Sequence, residues 1–336
     1  MCLRSNYCKT IFAMACQSPD LRPIVVTNCT TRKRAPDPPI SLPAESRCES
    51  LFNLAARWDA LLRDARPRTV AGDLYLGRAI AESKRVSRFL GADLYIVSAG
   101  LGLVRETALV PNYNLTVSGS GGPLTRALKT SGEHSSFWWN TLTGRAESAG
   151  SLSDLICTQP DRLVLIALPA TYLEMVSDDL NTIDSNAARM IRIFTSEAGR
   201  ARLPGHLLHC ALPYDERLES LVGYGGTRAE FPQRALRHFV EVLGAHNLAL
   251  PHAHIVTTTA LGGLKKRTMP PRRRVTDAQI ATMLREQWTS YSGNSARLHR
   301  YLRDNALVAC EQSRFQMLWR MVQAESKRQE ANAYGA

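Results

Sequence analysis

The sequence lacks the short motifs that mark several common enzyme classes. It contains no phosphate-binding Gly-x-x-x-x-Gly-Lys-Ser/Thr loop, no complete Gly-x-Gly-x-x-Gly fingerprint, no His-Glu-x-x-His and no Gly-x-Ser-x-Gly. The sequence therefore does not indicate a nucleoside-triphosphate enzyme, a dinucleotide-binding fold, a zinc peptidase of that type or an α/β-hydrolase.

The cysteines and the apolar runs exclude further classes. The eight cysteines are scattered and no pair has Cys-x-x-Cys spacing, so neither a zinc ribbon nor a redox pair is indicated. No apolar run approaches the roughly 20 residues of a membrane span. The patch 11–16 is shorter than the roughly 7–15-residue apolar region of a signal peptide. We expect a cytoplasmic protein that binds no metal, uses no cofactor and does not contact a membrane.

The sequence has an excess of positive charge. The 336 residues carry a net charge of +12, which favours a polyanionic partner such as DNA or RNA. Residues 265–336 hold fourteen Lys and Arg against six Asp and Glu, an excess of eight. Two thirds of the net charge therefore lies in the last fifth of the chain.

The order of apolar runs predicts an α/β fold. Strands are predicted at 23–28, 94–97, 162–168, 190–194 and 206–212, and helices at 44–63, 77–90, 170–180 and 229–243. Alternating strands and helices are typical of a mostly parallel sheet between helical layers. We expect a three-layer α/β sandwich.

A change in composition near residue 264 predicts a second domain. Three helical stretches, 276–288, 295–305 and 311–324, follow a basic run. A small basic three-helix module is typical of a helix-turn-helix or winged-helix-like reader of DNA. The predicted organisation is an N-terminal segment (1–19), an α/β catalytic domain (20–262), a basic linker (263–274) and a helical DNA-binding module (275–336).

Small residues after the second strand indicate a ligand-binding edge. Ser98, Ala99, Gly100 and Gly102 directly follow the apolar residues 94–97. Ligands of open α/β sheets bind at the carboxyl ends of the strands, where small residues allow close approach. We therefore place the active site at this edge.

Polar and aromatic residues near predicted strand ends are the candidate site. A carboxylate can stabilise an oxocarbenium-like sugar or orient water, and an amide can contact a base edge. The candidate catalytic residues are Asp73, Glu106 and Asn28. Aromatic rings can stack on a base that has left the duplex. The candidate base-binding residues are Asn114, Tyr75, Tyr113 and Trp138.

Basic residues in two regions are the candidate phosphate contacts, since arginine and lysine carry most of the electrostatic affinity for DNA. The candidates are Arg32, Lys33, Lys265, Lys266, Arg272, Arg273, Arg274, Arg297 and Arg314.

Four segments carry a family resemblance: 27–33 (Thr-Asn-Cys-Thr-Thr-Arg-Lys), 73–78 (Asp-Leu-Tyr-Leu-Gly-Arg), 94–104 (Leu-Tyr-Ile-Val-Ser-Ala-Gly-Leu-Gly-Leu-Val) and 111–116 (Pro-Asn-Tyr-Asn-Leu-Thr). Together they resemble the YaaA-like and uracil-DNA-glycosylase-like α/β domains, over about residues 20–120. In size and basic C-terminus the chain also resembles the Brig-type anti-phage DNA glycosylases. Two positions depart from the pattern: Gly100-Leu-Gly102 replaces Lys-Tyr-Gly, and Asn112 separates Pro111 from Tyr113.

The resemblance implies a DNA glycosylase that flips out and excises a modified base. The implied base is glucosylated hydroxymethylcytosine of phage DNA, and its removal leaves abasic sites as anti-phage defence. Two alternatives remain open: a deazaguanine transglycosylase that exchanges bases, and a non-enzymatic DNA-binding regulator. Charge alone does not separate the three.

Overall fold

A computed structural model describes residues 21–35, 37–43, 50–66, 68–117, 122–143, 148–266 and 271–334, with side chains as far as residue 329. The predicted N-terminal segment, 1–19, lies outside these residues. The chain divides into two compact units, 1–267 and 268–336. The boundary falls within the predicted basic linker.

Unit 1 is a mixed α/β structure with a mostly parallel central sheet, which confirms the predicted α/β class. Within the described residues the sheet has five strands in the order β5-β4-β1-β8-β9. Only the β4–β5 pair is antiparallel. The strands of the chain are β1 Ile24–Asn28, β2 Ile40–Ser41, β3 Arg68–Val70, β4 Asp93–Ser98, β5 Gly102–Arg105, β6 Leu109–Pro111, β7 Tyr113–Asn114, β8 Val164–Ala167 and β9 Ile191–Phe194.

The central strands are buried on both faces because alternate residues pack into different apolar clusters. Ile24 and Val26 of β1 belong to one cluster, whereas Val25 belongs to the other. A strand covered on both sides reads as a continuous apolar run, which is why β1 and β8 were recognisable in the sequence. The sheet is therefore a rigid support for the loops at its ends.

Helices cover the two faces. Those of unit 1 are α1 Leu51–Arg63, α2 Ala71–Leu74, α3 Arg78–Leu90, α4 Pro123–Ser131, α5 Ser135–Thr143, α6 Leu152–Cys157, α7 Ala170–Met175, α8 Ser177–Thr182, α9 Ser185–Ala188, α10 Glu197–Arg200, α11 Phe231–Arg237 and α12 Leu250–Gly262. Helix α3 ends at Gly91, whose φ of 61° is favoured by glycine and closes the helix. Helices α3 and α11 pack together on the face that carries Val25.

One sequence prediction of a strand was wrong. Residues 206–212 were expected to be a strand, but Gly205–Cys210 forms a 3₁₀ helix and only Ala211 bridges to β9. Leu207 and Cys210 are buried in this helix, whereas His206, Leu208 and His209 are exposed. Burial at spacing three fits a 3₁₀ turn, in which residues three apart share a face.

Unit 2 contains three helices in its described part: α13 Asp277–Gln287, α14 Ser295–Asp304 and α15 Gln312–Tyr334. They surround a separate apolar core that includes Ile280, Leu298 and Phe315. Helix α13 begins with a capping box in which Thr276 and Gln279 bond each other's backbone. This unit thus has its own core and its own helix-start signal.

Within the described residues, no helix combines the length and the apolar character needed to span a bilayer.

Candidate functional site

Three hydroxyl groups meet at the carboxyl end of β4. The Ser98 Oγ atom lies 2.6 Å from the Tyr113 hydroxyl, which lies 2.9 Å from the Tyr75 hydroxyl. The Tyr75 hydroxyl donates back to Ser98 Oγ at 3.4 Å. Both tyrosines are buried, and burial raises the pKa of each well above its usual value. The phenols therefore stay protonated and form a closed ring of hydrogen bonds, which we call the hydroxyl triad (Ser98, Tyr75, Tyr113).

The turn after β4 is bound to this triad. Ser98 Oγ accepts hydrogen bonds from the backbone N–H groups of Gly100 and Leu101. Two buried tryptophans hold the same turn, because Trp58 Nε1 donates to the Gly100 carbonyl at 2.7 Å and Trp138 Nε1 to the Ala99 carbonyl at 2.8 Å. The backbone of this turn is closely approached, as the small residues predict, but the groups that approach it are side chains of the protein itself.

A thiol and a fourth hydroxyl lie next along the edge. Cys29, the first residue after β1, has its Sγ atom 3.1 Å from the Tyr172 hydroxyl. The same hydroxyl donates to the Cys29 carbonyl at 3.3 Å. Burial, with a smaller contribution from Cys29, raises the pKa of Tyr172 well above its usual value. Tyr172 therefore remains a hydrogen-bond donor beside the thiol.

Two side-chain amides span the ends of β1 and β8. Gln233 Nε2 lies within hydrogen-bond distance of Asn28 Oδ1 (2.9 Å), Thr27 Oγ1 (3.1 Å) and the Ala167 carbonyl (2.8 Å). Asn28 Nδ2 in turn donates to the Cys29 carbonyl. Gln233 is fully buried, and its Oε1 atom has no partner among the described residues. A buried acceptor without a donor is uncommon, because its desolvation is uncompensated.

Lys33 places an amine over the triad. Its Nζ atom lies 4.2 Å from the centroid of the Tyr113 ring and 5.7 Å from that of Tyr75. Burial lowers the pKa of Lys33 below its usual value, and the nearby Cys29 opposes the shift. Lys33 was predicted as a phosphate contact; the structure places it at the hydroxyl triad instead of on an open surface.

The two predicted catalytic carboxylates are not at this edge. The Glu106 backbone N–H donates to the Leu94 carbonyl, so Glu106 lies level with the amino end of β4. Leu94 and Ser98 are four positions apart along the strand, which is about 13 Å. Glu106 and Asp73 instead share Lys84, whose Nζ atom is 3.4 Å from Glu106 Oε1 and 3.6 Å from Asp73 Oδ1.

The cause of this difference is a reversal of the chain. Gly102 has φ of 77°, a left-handed conformation that glycine adopts readily, and β5 returns antiparallel to β4. Residues after the turn therefore move back towards the amino end of β4. The expectation that Glu106 stands at the carboxyl edge was wrong for this reason.

Two of the predicted base-binding residues, Trp138 and Asn114, are not positioned to contact a base at this edge. Trp138 is fully buried and belongs to the apolar core of unit 1. Asn114 is exposed, since Tyr113 precedes it on β7 and successive residues of a strand point to opposite faces. Tyr75 and Tyr113 lie at the edge, as predicted, but their hydroxyls are used within the triad.

The predicted phosphate contacts of unit 1 are partly accessible. Arg32, Lys265 and Lys266 are exposed. Lys266 pairs with Glu216 at 3.2 Å, so part of its charge is already neutralised. Arg32 and Lys265 remain the more available cations of this set.

Unit 2 has a basic surface groove. Its volume is about 550 Å³, and its lining residues are Arg272, Arg274, Ala309, Cys310, Glu311 and Arg314. Arg272 pairs with Asp304 at 3.4 Å and Arg314 with Asp277 at 2.6 Å. Arg274 is exposed and makes no hydrogen bond or ion pair with the described residues. The structure therefore brings three of the predicted phosphate contacts together in one groove.

The remaining predicted contacts, Arg273 and Arg297, are exposed outside the groove lining. The Arg273 backbone pairs with Leu307 and Ala309, which holds the segment before α13 in place. Within the described residues, no group of three or more His, Cys, Asp or Glu side chains is arranged to hold a metal ion.

Members of the edge that were not among the sequence candidates include Ser98 as a hydrogen-bonding group, Cys29, Tyr172 and Gln233. Ser98 was read only as a small residue. Gln233 lies in a basic helix 205 positions from Asn28 in the sequence, and no local pattern marks such a contact.

Comparisons with protein families, with curated proteins and with solved structures find no match to this chain.

Proposed function

We propose that the protein is a DNA glycosylase that flips a modified base out of DNA and releases it, leaving an abasic site. The observation that carries the proposal is the set of side chains at the carboxyl edge of the sheet: the hydrogen-bonded amides of Asn28 and Gln233, and the half-buried amine of Lys33 over the Tyr113 ring. This edge is the usual ligand-binding position of an open α/β sheet. In line with the family resemblance, the proposed base is glucosylated hydroxymethylcytosine of phage DNA.

The amides support recognition of a base. Asn28 and Gln233 are the amide side chains at the ends of β1 and β8, and the Gln233 Oε1 atom accepts no hydrogen bond from the described residues. An amide oxygen accepts from an exocyclic amine such as N4 of cytosine. The proposed role of this pair is to hold the Watson–Crick edge of the extruded base.

The basic groove of unit 2 supports the proposal that the base is part of DNA. Arginine binds phosphate through several donors at once, so Arg272 and Arg314 can keep their present partners and still donate. The connection between α13 and α14, residues 288–294, is longer than the 3–4 residues of a helix-turn-helix. The unit is therefore proposed to bind backbone phosphates through its groove.

The direct test is release of a base. Purified protein is incubated with phage DNA that carries glucosylated hydroxymethylcytosine, with hydroxymethylcytosine DNA and with unmodified DNA. Mass spectrometry should detect a released base from the glucosylated DNA, together with alkali-labile sites. Absence of both from all three DNAs would contradict the proposal.

Labelled bases separate the alternatives. A transglycosylase incorporates a labelled deazaguanine into the polynucleotide, whereas a glycosylase releases base without incorporation. A regulator retains DNA but releases nothing.

The groove has its own test. Arg274→Ala should weaken DNA binding and reduce the slope of log affinity against log salt by about 1, because one phosphate contact is lost. Arg320→Ala, at an exposed position of α15 outside the groove lining, is the matched control and should leave the slope unchanged. Equal slopes for the two variants would show that the groove does not contact the DNA phosphates.

A further inference from the structure

The loop that carries Lys33 is fixed in place. Two backbone hydrogen bonds flank this residue: the Arg34 N–H donates to the Leu74 carbonyl at 2.7 Å, and the Leu76 N–H donates to the Arg32 carbonyl at 2.9 Å. The Thr30 hydroxyl lies within hydrogen-bond distance of the Leu76 carbonyl on the same segment. The Lys33 side chain therefore starts from a defined position beside Tyr75.

The surroundings of Lys33 differ from those of the other described lysines of unit 1. Lys84 and Lys266 pair with carboxylates, and Lys129 and Lys265 are exposed. Lys33 is half-buried against two tyrosine rings and has no carboxylate partner among the described residues. The hydroxyls of these two tyrosines bond each other, and that of Tyr113 also bonds Ser98.

This environment favours a reactive amine. An unprotonated amine is a nucleophile, and an apolar setting without a counter-ion favours the unprotonated form. Burial acts on Lys33 in that direction. The hydroxyl triad below it supplies phenol and serine groups that hold the tyrosine rings in one orientation.

We propose that Lys33 is the covalent nucleophile of this site, and that the protein also cleaves the DNA strand at the site where it removes the base. This rests on the proposed glycosylase function and adds a second, lyase, activity to it.

The proposed chemistry conserves atoms and charge. The lone pair of Lys33 Nζ forms a bond to C1′ of the target nucleotide as the bond from C1′ to the base nitrogen breaks. The base leaves with that electron pair and takes up the proton that Nζ loses. The C1′–O4′ bond then opens, O4′ takes a proton from solvent, and an iminium forms between Nζ and C1′.

Strand cleavage follows from the iminium. A proton leaves C2′, a C2′–C3′ double bond forms, and the bond from C3′ to the phosphate oxygen breaks, so that the phosphate departs with the electron pair. Water then hydrolyses the iminium, which returns the amine and leaves an unsaturated aldehyde on the cleaved strand.

The test is reductive trapping on a preformed abasic site, which does not depend on the identity of the base. Full-length protein is mixed with an oligonucleotide duplex containing one aldehydic abasic site, in the presence of borohydride. Hydride reduces the iminium to a stable amine, and peptide mass spectrometry should locate the adduct on Lys33. An adduct mapped to another lysine overturns the proposal without any variant being needed.

Variants give a second readout. Lys33→Arg keeps a long basic side chain but removes the reactive amine, and it should reduce trapping and strand cleavage at least tenfold. Its binding to a duplex with a non-reactive tetrahydrofuran abasic analogue should stay within twofold of wild type. Lys129→Arg, an exposed lysine of the same unit, is the control and should trap as wild type does. Equal trapping by both variants overturns the proposal.

The outcomes also distinguish failure of the glycosylase function from failure of Lys33 as the nucleophile. Base release from phage DNA without any trapped adduct would mean that the glycosylase function stands and Lys33 is not its nucleophile. A Lys33 adduct on abasic DNA without base release from any phage DNA would mean that the glycosylase function fails and only lyase activity remains.

Discussion

Lys33 and Lys84 lie at opposite ends of the central sheet and have opposite surroundings. Lys33 stands over tyrosine rings at the carboxyl edge, with no carboxylate among the described residues. Lys84 contacts Asp73 and Glu106, and Glu106 lies level with the amino end of β4. One end of the sheet thus has buried tyrosine rings and an amine with no carboxylate partner in the described part of the chain, while the other has two carboxylates around one amine. The comparison shows that the two carboxylates chosen from the sequence as catalytic are already paired with a lysine.

The largest expected effect contrasts two glycines, one at each end. A Cβ atom on Gly100 would lie 2.6 Å from Tyr113 Cε2 and 3.1 Å from Trp58 Cζ2, and both rings are buried and hydrogen-bonded. Gly100→Ala should cost about 3 kcal/mol, since overpacking a rigid core costs about 1–3 kcal/mol. A Cβ atom on Gly72 would instead lie 2.6 Å from Glu106 Cγ, in the middle of a partly exposed side chain.

Gly72→Ala should therefore cost less than Gly100→Ala, about 1 kcal/mol, because the partly exposed Glu106 side chain can turn aside and reduced unfolded-state entropy offsets part of the cost. Urea unfolding of both variants measures the difference. Similar costs at the two positions would show that the carboxyl edge is no more rigid than the other end.

The second effect tests the hydroxyl triad. Ser98→Ala removes the acceptor of the Gly100 and Leu101 N–H groups and a partner of Tyr113. Buried polar groups left without partners cost about 1–3 kcal/mol, and we expect about 2 kcal/mol. Ser98→Thr retains the hydroxyl and is the matched comparison. A cost below about 0.5 kcal/mol for the alanine variant would show that the ring of hydrogen bonds contributes little.

Much of the fold could be predicted from the sequence, but the assignment of residues to the site was less successful. Strand β8 is a continuous apolar run and β1 begins with one, and this pattern depends on burial alone. The β4–β5 hairpin was not predicted, because the small residues at 98–102 are compatible both with a ligand-binding turn and with a chain reversal. The reversal at Gly102 carried Glu106 to the other end of β4.

Other errors arose because burial is a property of the assembled structure. Trp138 lies in a polar-looking stretch, yet its ring is fully enclosed by residues distant in sequence. Gln233 reaches Asn28 only because α11 packs against the sheet near β8. Neither the burial of Trp138 nor the contact of Gln233 with Asn28 leaves a pattern in the neighbouring sequence. Periodicity and motifs therefore do not predict them.

The third effect compares the two lysines directly. Lys84→Met removes two ion pairs and a hydrogen bond to the Gly72 carbonyl, and should destabilise by about 1 kcal/mol. Lys33→Met removes an amine whose pKa is lowered by burial. Below this lowered pKa, wild type bears the cost of a buried charge, so Lys33→Met should be equally or more stable at neutral pH.

The sign of the pH dependence follows from proton binding. Between the lowered pKa of folded Lys33 and its unfolded value of about 10.4, the unfolded chain binds more protons than the folded one. The stability of wild type relative to Lys33→Met should therefore rise with pH across that window and be constant below it. Unfolding curves of both proteins from pH 6 to 10 provide the measurement, and a falling difference would contradict the assigned environment.

The smallest effect concerns Asp73, one of the two candidate catalytic carboxylates. Its side chain is 73 % exposed and lies 3.6 Å from Lys84, and exposed ion pairs contribute about 0–1 kcal/mol. Asp73→Asn should alter stability by less than about 0.5 kcal/mol and leave base release within twofold of wild type, because Lys84 keeps its closer contact with Glu106. Loss of base release in a folded Asp73→Asn protein would show that the active site lies at the other end of the sheet, beside Asp73 and Glu106. The distinction between the two lysines would then be reversed, with Lys84 orienting a catalytic carboxylate and Lys33 acting as a cation over aromatic rings.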